Sequence, residues 1–480
     1  MKPSITSAAL ALALSALLMG CQGPGLGRGK HFAPTDLEPV IPKADFTAYI
    51  NEARFQAKEA NEAAGRDIPL EEVAAAGPFE MRPTSKERAC RSRSLDKSIR
   101  PGDQAFRYDR AILLIHGLND TPFSLWDLGH RFARECYLVR SVLLPGHGTV
   151  PGDLLNIGLP AWREAVKQAV LSFDGKADRL VIAGIGLGAN LALDAAYRVS
   201  IPSDFNMPPT LELNGVVLLA PAFEYQPPIF APASVAPGGQ DLWGNMLDED
   251  DALRYRSIAK PSVDATNQLG RNLFEIDAPR HLPIFMVASA EDGVADPRAA
   301  RDWFCRQHVT PRHLLWYSRY PDAPFPACSC IVARRDRSLE ERSACVTVRA
   351  SSCALMSSSK GRLEPPANRA QCQANPFKTA SGDTAGAILD LAHNALLAAP
   401  ENPRYGAATQ RNDCLHYAAS PEKNKQEACA GPVKGDIRRN LRYGEVGDDN
   451  LENYIVRRLT YNPDFDHMAA EIIDFLERSR

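Results

Sequence analysis

The sequence has no C-x-x-C pair among its cysteines, no G-x-G-x-x-G or G-x-x-x-x-G-K-[ST] loop, no haem-attachment motif and no basic excess. Each absence removes a class of function. Without closely spaced cysteines a structural zinc site has no ligand frame, and without a glycine-rich phosphate loop a nucleotide or nicotinamide cofactor has no cradle. A formal charge of −3, from 55 Lys and Arg against 58 Asp and Glu, leaves no electrostatic footprint for nucleic acid. Neither a metal nor a cofactor is expected. Apolar residues at 45% and charged residues at 24% are the balance of a globular protein, and 480 residues suffice for one large core or two ordinary ones.

The apolar run from Ile5 to Met19 is shorter than the roughly 20 residues of a spanning helix. It follows Lys2 and leads into Gly20-Cys21, the layout of a secretory signal over residues 1–20. "LLMGC" resembles a bacterial lipobox, which implies that Cys21 is lipidated and becomes the first residue of the mature chain. Gln22 stands where an Asp would resemble an inner-membrane retention signal, so the expected location is exported and lipid-anchored in the envelope, at the outer membrane. The remaining ten of the eleven cysteines are an even number in a compartment that permits disulfides, and their pairing is not readable from spacing.

Residues 21–43 are rich in Gly and Pro, as suits a tether. Residues 44–107 read as a helical and strand extension, with a helix from Asp45 to Ala64 carrying Phe46, Ile50 and Ala53 at helical spacing. From about Tyr108, apolar runs of strand length alternate with helical segments, which predicts an α/β fold: a mostly parallel sheet with helices on both faces. The strand candidates are Ala111–Ile115, Tyr137–Leu144, Leu180–Ala183, Gly215–Leu219, Ile284–Ala288 and Leu314–Tyr317; the helix candidates are Ser124–Arg134, Ala161–Phe173, Leu187–Val199, Pro297–Arg306 and Met468–Glu477. Two regions interrupt the alternation. One, about 223–279, carries Pro227-Pro228, Pro232 and Pro237-Gly238-Gly239 before a helical section; the other, about 321–381, holds five cysteines in basic, Ser-rich sequence and is expected to draw its order from crosslinks.

Five stretches in order, "LLIHGLNDTPFS", "LLPGHGTVPGDLL", "GIGLGANLAL", "ASAEDGVAD" and "LAHNALLAAPENPRYG", resemble an α/β-hydrolase of the bacterial carboxylesterase and lipase type over roughly residues 108–480. The resemblance implies an α/β-hydrolase fold with a cap and a Cys-rich insertion. It also implies an oxyanion hole from the backbone N–H groups of Leu118 and Leu187, an acid at Asp292 with Glu291 and Asp296 as competitors, and a histidine at His393 with His416 as the alternative. His116 is read as a structural turn residue. The motif G-x-S-x-G wants a serine at the strand-to-helix turn, but the chain has Gly186 there, and neither Ile185 nor Leu187 supplies an oxygen.

Acyl transfer through a covalent enzyme intermediate is therefore expected to be absent. Three functions follow. The first is a pseudoenzyme that binds an acyl or ester-like ligand without cleaving it; the second is a weak carboxylesterase or lipase using water and His393; the third is an envelope interaction protein working through its Cys-rich insertion.

Overall fold

The computed structural model describes residues 29–83, 90–92, 98–100, 103, 105–201, 205–226, 242–247, 249–308, 311–320, 323–326, 328, 332–334, 345–350, 387–388, 390–407, 441–445 and 455–479. Cys21, His416 and much of the two interrupting regions lie outside these residues, as does the segment read as a signal.

In chain order the strands are β1 (Phe79–Met81), β2 (Tyr108–Ile115), β3 (Tyr137–Val142), β4 (Ala177–Ile185), β5 (Glu212–Leu219), β6 (Trp243–Asn245), β7 (Ile258–Ala259), β8 (Ile284–Ser289), β9 (Arg312–Ser318), β10 (Val332–Arg334), β11 (Val346–Ala350), β12 (Ala387–Ile388), β13 (Leu441–Gly444) and β14 (Ile455–Arg458). Among the described residues, one sheet has the order β1-β3-β2-β4-β5-β8-β9-β11-β10. All of its pairings are parallel except β1 with β3. The helices are α1 (Phe46–Ala63), α2 (Leu70–Ala76), α3 (Trp126–Arg134), α4 (Leu159–Leu171), α5 (Leu187–Val199), α6 (Lys260–Phe274), α7 (Pro297–Arg306) and α8 (Phe465–Arg478).

The pleat divides the core into two. Along β2, Ala111, Leu113 and Ile115 pack into one apolar cluster while Ile112 and Leu114 pack into the other. On β8, Ile284, Met286 and Ala288 take the first side, and Phe285 and Val287 the second. Both faces are covered, so these strands read as continuous apolar runs rather than alternating ones, the signature of a buried parallel sheet. Full burial of each such side chain contributes about 1.5–3 kcal/mol, which makes the central strands the most stable part of the domain.

The extension over residues 44–107 contributes a strand to the main sheet. Its strand β1 pairs with β3, Glu80 opposite Arg140. Arg140 is buried, donates from Nε to Glu80 Oε2 at 2.8 Å, and lies over the rings of Phe46 and Phe173. A buried cation with its carboxylate and two aromatic faces satisfied is a costly pair to break. A disulfide between Cys90 and Cys136 adds a covalent tie.

The Cys-rich insertion holds strands beside the crosslinks expected of it. Its described parts carry β10 and β11, which extend the main sheet beyond β9, with Val346 and Val348 buried. No strand is expected here from the sequence, because the alternation in "VTVRA" lasts only five residues. Cys305, at the end of α7, is bonded to Cys328 at the start of the insertion, and Cys345, immediately before β11, is disulfide-bonded as well. In the cap region, β6 and β7 form an antiparallel pair that leads into α6.

Candidate active site

The turn between β4 and α5 is built from three glycines with different jobs. Gly186 has φ 55° and ψ −117°, a left-handed conformation that costs an L-residue about 1–3 kcal/mol and costs glycine little. Gly184 and Gly188 are required by contact rather than by torsion. A Cβ on Gly184 would lie 2.3 Å from the carbonyl of Gly188, and one on Gly188 would lie 2.1 Å from the carbonyl oxygen of Ile115. Helix α5 therefore crosses directly against the backbone of β2 and β4. Gly186 is further fixed by donating its N–H to Leu219 O at 3.0 Å, while its carbonyl accepts the N–H of Asn190 at 3.1 Å.

Two neighbouring strands also end in unusual backbone. Asn119, after β2, has φ 61°, and Ala220, after β5, has φ 42°. Three adjacent parallel strands thus finish in positive-φ corners along one edge of the sheet, where strained backbone gathers around functional sites.

Asp292 and His393 come together at this edge. His393 Nδ1 lies 2.7 Å from Asp292 Oδ2, and both residues are buried. The other oxygen of Asp292 accepts the N–H groups of Val294 at 2.8 Å and Ala295 at 2.9 Å, which fixes the carboxylate. Nε2 points to the elbow: a Cβ on Gly186 would sit 3.5 Å from it. Burial alone would lower the pKa of His393, but the charge and hydrogen bond of Asp292, with further help from Glu445 and Asp120, raise it above the ordinary histidine value. Its stabilising contribution is accordingly present below about pH 6.5 and is lost as pH rises through its folded pKa.

The competing carboxylates have other partners. Glu291 accepts the N–H of Arg319 at 2.7 Å, and burial raises its pKa to about 7. Asp296 caps α7 by accepting the N–H of Arg298 at 2.8 Å and pairs with the Arg298 guanidinium.

Leu187 is the first residue of α5, so its N–H emerges at the positive end of the helix dipole. Leu118 follows Gly117 at the end of β2. Among the described residues, no acceptor takes the N–H of either. His116 points away from this space: Nε2 accepts the N–H of Leu144 at 3.0 Å and Nδ1 meets the carbonyl of Gly117 at 2.8 Å. It braces the turn.

The sequence assigns no role to two further residues of the site. Glu445 is buried beside β13 and its Oε2 accepts the N–H of His393 at 3.0 Å and of Gly293 at 3.3 Å. It holds the histidine loop against the acid loop from a position 52 residues beyond His393, a separation no local motif records. His147, in the stretch "LLPGHG", accepts the N–H of Asn119 through Nε2 at 3.2 Å and stands edge-on to His116. Burial lowers the pKa of His116 to about 4 and of His147 to about 3.

A model of the alpha/beta hydrolase family matches residues 112–367, more than half of the chain. With the sheet order and the elbow, this defines the class: the chain belongs to the alpha/beta hydrolase family. It is also similar to a solved structure of the metagenome-derived lipolytic enzymes LipS and LipT, at 19% identity over 50% of this chain and 87% of that one, with a TM-score of 0.36. A monoacylglycerol lipase from Paleococcus ferrophilus is 17% identical over 44% of this chain and 86% of its own, at a TM-score of 0.34. A soluble variant of the monoglyceride lipase from Saccharomyces cerevisiae, in complex with a substrate analog, is 14% identical over 50% and 82%, at 0.35.

The elbow's geometry yields an ordered mutational series. Gly186→Ala should destabilise the protein by about 1–3 kcal/mol, whereas Gly184→Ala and Gly188→Ala, which meet backbone, should each cost more than about 4 kcal/mol in urea unfolding. A larger loss for Gly186→Ala than for its two neighbours would refute this division of labour. The buried histidines set a second expectation. Folding keeps His116 and His147 neutral, so stability should fall as pH drops from 6.5 towards 4. Their Cε1 protons should show no titration between about pH 5.5 and 8 in NMR spectra; a midpoint at or above 6.5 for either would mean that the folded protein carries it charged.

Proposed function

We propose that this chain is a member of the alpha/beta hydrolase family that binds an acyl or ester-like ligand without cleaving it, with Gly186 at the position of the nucleophile. In this reading Asp292 and His393 stand at the acid and base positions, and the amides of Leu118 and Leu187 are the oxyanion donors. One observation carries it. The left-handed corner at Gly186 faces an imidazole already oriented by a carboxylate, and the side-chain oxygen that this arrangement would activate is missing. Everything that orients a nucleophile is retained, while acyl-enzyme formation has no atom to proceed through.

The same geometry supports a slower alternative in which a water replaces the hydroxyl beside His393. Serine proteases stripped of their triad retain roughly 10³–10⁴ over the uncatalysed rate through binding and the oxyanion hole. We further propose that the chain is exported and anchored at the outer membrane through lipidated Cys21, the reading its first 22 residues support.

A fluorophosphonate probe tests the main reading. The wild-type protein should remain unlabelled, and Gly186→Ser should take up about one equivalent, because the introduced hydroxyl would lie within reach of His393. Stoichiometric labelling of the wild type on any pocket residue would overturn it; turnover of p-nitrophenyl butyrate by wild type but not His393→Ala would favour the water route. For the anchor, Cys21→Ser should move the protein from the detergent phase to the aqueous phase on Triton X-114 partition. A wild-type protein that stays aqueous would argue against lipidation.

A further inference from the structure

We propose that the site emptied of its nucleophile is a receptor for the carboxylate group of an aliphatic monocarboxylic acid, gripped between the backbone amides of Leu118 and Leu187 and the imidazole of His393. This rests on the ligand-binding reading above and narrows it to one chemical class.

Two backbone donors at the site are unsatisfied. The N–H groups of Leu118 and Leu187 have no acceptor among the described residues, and Leu187 opens a 13-residue helix whose dipole favours an anion at that end. A helix terminus alone would select nothing. The second observation is His393, whose side chain is 9% exposed. Its Nδ1 is committed to Asp292, and its Nε2, aimed at Gly186, has no partner among the described residues. A buried ring nitrogen pointing at a glycine, next to two free amides, presents three donors when the imidazole is protonated. A planar carboxylate has two oxygens with which to receive them, and hydrogen bonds between charged partners are the strong ones.

A neutral ester presents one carbonyl oxygen to the amides and offers His393 no charge. With serine present, the Oγ would occupy the space between Nε2 and the substrate. Glycine at 186 leaves that space to the second oxygen of an acid.

The protonation state is consistent with this. The charged groups facing His393 are Asp292, Glu445 and Asp120. Glu445 is joined by Arg458 at 3.5 Å and Asp120 by Arg254 at 3.1 Å, which leaves Asp292 as the counter-charge of the imidazolium. Binding of a second carboxylate against the opposite nitrogen then draws a proton into the site. Leu118 and Val294, both partly exposed, rest on a buried apolar cluster of Ala222, Tyr225, Val263 and Ala295. Val294 and Ala295 are the residues whose amides hold Asp292, so apolar side chains border the acid loop. Apolar side chains at that border favour a hydrocarbon body over a sugar or a nucleotide.

Isothermal titration of the whole chain with butyrate and octanoate, each paired with its methyl ester and with the corresponding alcohol, tests the assignment at pH 6. At least one acid should bind about tenfold or more tighter than its ester. His393→Gln should reduce that acid's affinity by a similar factor and leave the ester within about twofold, which also shows that the variant is folded. Asp292→Asn, which removes the counter-charge, should weaken the acid in the same selective way. Proton uptake on binding the acid, read in a second titration at pH 8 from the dependence of the heat on buffer ionisation, should accompany wild-type binding. Esters that bind as tightly as the acids would overturn the carboxylate assignment and leave ligand binding standing. Absence of binding by all of these probes would overturn the assignment and the ligand-binding reading together. Equal loss of acid and ester in both variants would show that His393 and Asp292 only support the fold.

Discussion

The site depends on how closely a helix approaches two strands. At Gly184 and Gly188 the backbones of β4, α5 and β2 meet with no room for even a methyl group, and that contact decides where the turn between them falls. Once the crossing is fixed, the residue at the corner is forced to positive φ, the first amide of α5 projects over the end of the sheet, and the loop after β2 runs alongside. The chemistry associated with this corner is optional in a way that the crossing is not. A chain can lose the hydroxyl at Gly186 and relieve backbone strain in doing so, but it cannot enlarge either flanking glycine without separating helix from sheet.

A second layer of constraint comes from charge. Asp292 and His393 are contributed by loops 101 residues apart, and Glu445 fastens both by accepting an amide from each side. Asp390 in turn accepts the N–H of Glu445 at 2.5 Å and pairs with Arg319. The histidine is therefore held by backbone as well as by its ring. Retaining such a network has a cost, since buried carboxylates must each be matched. Its presence beside a glycine at the elbow is what supports the proposal that the pair serves binding.

Much of the fold was legible because buried parallel strands announce themselves as apolar runs. The strand candidates at Ala111–Ile115 and Ile284–Ala288 fall within β2 and β8, and Pro297–Arg306 matches α7. Pro297 opens that helix, where its missing N–H leaves no hydrogen bond unmade. The short elements were hidden. β12, β13 and β14 have two to four residues each, and β12 pairs with a strand far along the chain, so no local period reveals them. Position 186 was readable at once, because a motif with a missing atom is still a motif. Glu445 was not, since its meaning lies in which amides it touches. Nor did spacing favour Asp292 over Glu291: adjacent carboxylates differ here only in the direction their side chains leave the loop.

The way β10 and β11 lengthen the main sheet bears on how the chain can be taken apart. A parallel strand in mid-sheet has hydrogen-bonding partners on both flanks, and β9 has them in β8 and β11. Excising the Cys-rich segment to isolate a minimal domain would strip one flank and turn β9, with its buried Leu314, Leu315 and Trp316, into an open template for other chains. Unprotected edges of that kind recruit further strands and aggregate. The insertion thus acts as a seal on the hydrolase body, and a shortened protein that precipitates would be reporting an uncovered border rather than a lost binding partner.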